Sequence, residues 1–136
     1  MSVEDASVTV FVVGDHADVL AGLVALIDRA EGFCVVGSAP FELTAVAEIT
    51  ALQPTVAVID GDTAGSAPLE VCRQLRFAVP EVVCVLVTAG VGNHWERADA
   101  AEAGAAAVVL KRLVDFPLLD VIGELTRHQS GRESNR

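Results

Sequence analysis

Residues 54–62 read PTVAVIDGD: a helix-breaking proline, a short apolar and β-branched run, then two acids separated by a glycine. A run with no polar interruption between Thr55 and Asp60 suits a parallel strand covered on both faces, because a half-exposed strand would alternate. Similar runs recur at 8–13 (VTVFVV), 33–37 (FCVVG), 82–87 (VVCVLV) and 106–110 (AAVVL), with Thr9 the polar exception in the first. The segments between them have helical patterning. Residues 17–30 set Val19, Leu20, Leu23, Val24, Leu26 and Ile27 on one broad face, and further helices are expected over about 42–52, 67–78, 93–103 and 114–127. Gly32, Gly104, Pro54 and Pro80 punctuate helix-to-strand junctions, and Asn93 can cap the fourth helix. Five such βα units predict an α/β, doubly wound parallel sheet with right-handed crossovers.

The chain has 136 residues, enough for one domain. That domain is read over 1–127, with the polar 128–136 (HQSGRESNR) as a flexible tail or the start of a linker. A hydrophobic fraction of 52% argues against disorder, yet the apolar runs, such as 82–89, fall far short of a membrane span. The acidic start MSVEDASV lacks the positive charge of a secretory signal, so a cytoplasmic location is expected. Nineteen acids against nine bases give −10, a charge that repels phosphate backbones and argues against nucleic-acid binding by this domain. The same charge favours a partner with basic patches. Cys34, Cys72 and Cys84 lack metal or redox spacing and read as small buried hydrophobes. His16, His94 and His128 are too scattered to ligate zinc together.

In a parallel sheet of this type, chemistry gathers at the carboxyl ends of the strands. The first strand ends at Gly14, Asp15 and His16, the third at Asp60, the fourth at Thr88 and the fifth at Lys111, the sole lysine of the chain. Parallel strands bring these ends to one rim. Two neighbouring carboxylates call for a cation, and a hard divalent ion such as Mg2+ suits them. A carboxylate can also attack a phosphoryl group, and the product needs a cation and a hydroxyl donor beside it. Taken singly, Asp60 reads as a loop cap and Lys111 as a solvated charge. Their joint placement favours the chemical reading.

With these residues in view, the chain resembles the receiver domains of bacterial two-component response regulators, in particular the NarL-like branch. The resemblance spans residues 8–127. VTVFVVGDHADVLAGLVALI (8–27) resembles the opening strand, acidic turn and first helix, FCVVGSA (33–39) the second strand, and PTVAVIDGD (54–62) the phosphoacceptor strand. LEVCRQL (69–75), VCVLVTA (83–89) and AGAAAVVLKR (103–112) resemble the third helix and last two strands. The resemblance implies a flavodoxin-like fold with five strands in the order 2-1-3-4-5. It implies Asp60 as phosphoacceptor, Thr88 and Lys111 as phosphoryl-binding groups, and Mg2+ held by Asp15, Asp60 and the backbone carbonyl of Asp62. A sensor histidine kinase would be the donor and an output domain or regulatory protein the receiver of the signal, through the α4–β5–α5 face, toward transcription control. Such a protein is a phosphoacceptor that assists its own phosphotransfer and not an enzyme acting on a diffusible substrate. Many receivers dimerise, so a homodimer is compatible with the resemblance.

The chain also departs from that family. Gly14 stands where the first acid of the usual pair would be, which should weaken Mg2+ binding. Asp62 adds a carboxylate nearby, read either as a partial replacement for that acid or as a side chain facing solvent. Ala64 stands where a proline usually bends the loop, Val108 where an aromatic switch residue is common, and Arg112 follows the lysine. These departures keep a second reading open: an atypical receiver that binds protein partners without phosphorylation. His94 and Trp95 open the fourth helix on the face receivers use for partners, or else pack over the strand junction. His16 reads as a structural loop residue. Flavin and nucleotide enzymes of similar architecture are disfavoured, since GDHAD puts an acid where phosphate would sit and no GxxxxGK[ST] occurs.

Overall fold

The computed structural model describes residues 7–40, 43–62, 67–90, 97–111 and 117–134. The expected strands form as β1 (Val8–Val13), β2 (Phe33–Ala39), β3 (Val56–Asp60), β4 (Val83–Thr88) and β5 (Ala105–Leu110). They alternate with α1 (Ala17–Arg29), α2 (Leu43–Leu52), α3 (Ala67–Ala78), α4 (Arg97–Ala103) and α5 (Leu118–Ser134). All neighbouring strands pair in parallel, in the order β2-β1-β3-β4-β5. Asn93, His94, Trp95, Ala64 and Arg112 lie outside the described residues.

The two-residue period of the strands splits their side chains between two cores. Phe11, Val13, Ala57, Ile59, Cys84 and Leu86 face α2, α3 and α4, meeting Ile49, Leu69, Leu75 and Ala103. Val10, Val12, Val56, Val58, Val85 and Val87 face α1 and α5, meeting Leu23, Ile27, Leu118 and Ile122. Burial on both faces explains why the central strands carry no polar alternation. Thr9 near the start of β1 is the exception, and its hydroxyl accepts the Thr55 N–H at 2.9 Å. Gly32 and Gly104 sit at φ of +90° and +108°, a region that favours glycine at these helix-to-strand turns.

One expectation needs correction. Cys72 and Cys84 are buried, but Cys34 is exposed, because β2 is an edge strand whose outer positions no helix covers fully. Beyond residue 127, where a flexible tail or the start of a linker is expected, the backbone of α5 continues helical through Ser134. HQSGRES contains no proline to stop it, and each added residue only extends an existing hydrogen-bond ladder.

Candidate functional site

The ladder continues past the strand ends and fixes the rim. Gly61 N–H donates to the Val87 carbonyl at 2.7 Å, and Lys111 N–H donates to the Thr88 carbonyl at 2.7 Å. These bonds lock the residue after β3 to β4, and the residue after β5 to the end of β4. Asp60, Thr88 and Lys111 are thereby brought together, as expected from their positions. On the other side of β3, Gly14 N–H donates to the Ala39 carbonyl at 3.0 Å. Asp15 is exposed at the turn into α1. His16 caps that helix by its backbone, its carbonyl accepting the Leu20 N–H at 2.8 Å, with no side-chain cap bond.

Lys111 is the centre of the cluster. Its Nζ donates to Asp60 Oδ1 at 2.8 Å and to Asp62 Oδ2 at 2.7 Å. Asp60 is fully buried, and its Oδ1 also accepts the Asp62 N–H at 3.1 Å. The Lys111 ammonium loses hydration on burial, which lowers its pKa, but the bonds and charges of Asp60 and Asp62 outweigh that and hold it above the ordinary lysine range. It is a fixed cation.

The Asp62 side chain is the surprise. The reading in which it faces solvent is corrected: its carboxylate turns inward and only a fifth of the side chain is exposed. Oδ1 accepts the Thr88 hydroxyl at 2.7 Å and the Ala89 N–H at 3.1 Å, while Oδ2 accepts the same N–H at 3.0 Å and Lys111 at 2.7 Å. Burial raises its pKa, yet the hydrogen bonds from Lys111, Thr88 and Ala89 and the lysine charge more than offset this and hold the carboxyl below its usual range. The Ala89 amide was missed in the sequence reading. A small residue after a strand-end threonine is a weak signal for a backbone donor.

The chemistry suits a hard cation only in part. Asp60 Oδ2 is buried and accepts no hydrogen bond from the described residues, so it is a donor such an ion could take. Mg2+ is satisfied by one or two carboxylates with its remaining waters. Among the described residues, however, no three His, Cys, Asp or Glu side chains gather into a metal cage. Gly14 bears on this directly. A Cβ there would lie 3.2 Å from Asp60 Cβ and 3.7 Å from Asp60 Oδ2. Gly14→Asp should therefore destabilise the metal-free protein by about 1–3 kcal/mol, through tight packing and a second carboxylate beside Asp60. Thermal unfolding with and without Mg2+ checks this, with the deficit expected to shrink when Mg2+ is added.

At the position of the common aromatic switch, Val108 is partly buried against the α2–α3–α4 core. The Arg97 guanidinium donates to its carbonyl at 3.3 Å.

Comparison with known proteins places the chain in a family with this fold. The sequence model of the response regulator receiver domain matches residues 10–122. The chain is 32% identical over 118 residues to the DNA-binding transcriptional activator DevR/DosR of Mycobacterium tuberculosis, covering 87% of this chain and 54% of that protein. It thus spans about half the length of that curated relative. Among solved structures, the signal receiver domain of the response regulator NarL from Mycobacterium tuberculosis superposes with a TM-score of 0.75 at 26% identity, covering 89% of this chain and 97% of that one. A LuxR-family two-component response regulator from Aurantimonas sp. SI85-9A1 gives 0.76 at 26% identity, over 88% and 84% of the two chains.

Proposed function

The chain belongs to the response regulator receiver domain family, and from that premise we propose that it accepts a phosphoryl group on Asp60 from a sensor histidine kinase in the cytoplasm. In this reading an Asp60 carboxylate oxygen attacks phosphorus. The P–N bond to the kinase imidazole breaks, and its electron pair returns to the ring nitrogen. The product is an acyl phosphate whose added negative charge needs donors already in place. The observation that carries the reading is the buried Asp60 carboxylate at the end of β3 with Lys111 Nζ at 2.8 Å from its Oδ1.

Mg2+, when bound, would screen the repulsion between the carboxylate and the incoming phosphoryl group. Asp15, Asp60 and the backbone carbonyl of Asp62 would hold it, with no help from Gly14. Lys111 supplies a fixed positive charge and Thr88 an oriented hydroxyl, so both can act without waiting for a proton. The signal would then pass through α4, β5 and α5 to an output domain or partner protein, with transcription control the expected output and a second copy of the chain a candidate partner. With Val108 in place of an aromatic residue, that relay would proceed by backbone and small-residue shifts.

The test is acetyl phosphate with Mg2+ and intact-mass measurement. Wild type should gain one phosphoryl group and Asp60→Asn none, while the variant stays folded. Equal labelling of both proteins would place the acceptor elsewhere. One observation favours the second reading, a receiver that binds partners without phosphorylation: the donors around Asp60 are already engaged by Asp62. Absence of labelling in wild type, beside a control receiver that labels, would favour it.

A further inference from the structure

We propose that the Asp62 carboxylate is a built-in occupant of the phosphoryl pocket: a tethered anion that keeps Thr88, Ala89 and Lys111 engaged with no phosphoryl group present, and that must swing out before one is accepted on Asp60. The second half of this statement rests on the reading of Asp60 as acceptor; the first half does not.

The donor set carries the argument. A hydroxyl at the end of β4, the next backbone amide and an ammonium after β5 converge on a single anion. Such a convergence of donors is what an oxyanion with several oxygens requires. The Asp62 carboxylate meets it with both oxygens, each accepting two of these contacts. A surface ion pair that merely balanced Lys111 would need neither the Thr88 hydroxyl nor the Ala89 amide.

Competition follows from the shared lysine. A phosphoryl group bonded to an Asp60 oxygen would lie beside the ammonium that Asp60 Oδ1 and Asp62 Oδ2 now share. The phosphoryl group would add about −1.5 to −2 of charge to the pair already sharing that ammonium. It would also need the Thr88, Ala89 and Lys111 donors that Asp62 holds, so the Asp62 carboxylate has to leave. Asp62 is also well placed to hold its ground. Its own N–H donates to Asp60 Oδ1 at 3.1 Å, and a side chain tethered two residues away has a high effective concentration at the pocket. The same contacts would hold Thr88 and Lys111 in the inward arrangement that a phosphoryl group would otherwise impose, giving a receiver poised without its signal.

The experiment uses the full 15N-labelled chain, with Asp62→Ala and the shape-preserving Asp62→Asn, whose folding is verified by the dispersion of amides remote from the site. With no phosphodonor present, the Ala89 amide should exchange with solvent about tenfold faster in the variants, the size expected when one charge-assisted bond is lost. Added inorganic phosphate should shift the Ala89 and Thr88 amides in the variants and leave wild type unchanged. With acetyl phosphate and Mg2+, labelling of Asp60 should be about tenfold faster in the variants. Unchanged Ala89 exchange in both folded variants would overturn the proposal. A responsive amide with labelling at the wild-type rate would overturn displacement as a step. A responsive amide with no labelling of any protein would uphold Asp62 as the pocket's own anion and remove Asp60 as acceptor.

Discussion

Lys111→Met should lower the stability of the folded protein by about 2–3 kcal/mol, somewhat less than the full loss expected for a wholly buried ion pair, because part of the lysine remains solvated. The Lys111 side chain is 22% exposed and that of Asp60 only 1%. Removing the ammonium strands the Asp60 carboxylate in the interior with Asp62 beside it. The loss should therefore come from the charge left behind more than from the contact removed. Urea unfolding separates the two. Asp60→Asn in the Lys111→Met background should recover much of the lost midpoint, so the double variant is less damaged than the sum of the singles. A Lys111→Met protein as stable as wild type would mean that Asp60 finds another route to neutrality, and the lysine would lose its role as the fixed cation of the site.

Phe11→Ala should cost about 3–5 kcal/mol, the range for truncating a fully buried aromatic. Phe11 is fully buried in the α2–α3–α4 core. Its ring lies over Gly37 of the edge strand: a Cβ at Gly37 would come within 2.7 Å of Phe11 Cε2 and 3.0 Å of Cδ2. That contact is possible because the β1–β2 register shifts between Val10 and Phe11, so that Phe11 is opposite Gly37. For a domain of this size the loss corresponds to a fall in Tm of more than about 10 °C. Gly37→Ala should be destabilising in wild type and much less so in the Phe11→Ala background, where the added methyl enters vacated space. Additive costs in calorimetry would show that the ring and the glycine do not share the space.

The strands and the rim were legible because both are written in local sequence. A parallel strand buried on both faces has to be apolar throughout, so 55–59 and 82–87 announce themselves, and the polar residue that follows each is a strand end by construction. Hence Asp60, Thr88 and Lys111 could be named before their contacts were known, and the structure brings them together. The edge strand was less legible. Cys34 stands in an apolar run like the others, yet position in the sheet, not composition, decides whether a helix covers it.

The direction of the Asp62 side chain was beyond the sequence. Its partners Thr88 and Lys111 are 26 and 49 residues away, and they meet it only because parallel pairing sets the ends of β3, β4 and β5 side by side. Nothing in GD distinguishes a carboxylate facing water from one turned onto an ammonium. Gly14 is similar: the sequence reveals a missing acid, while the closeness of Asp60 to the place a side chain would fill is a fact of the folded rim. By itself, then, the sequence determined the periodicities, and with them the strands, the helices and the residue types at the strand ends. Tertiary structure alone decided which anion the lysine and threonine hold, because that choice depends on distances between strand ends that no local pattern encodes.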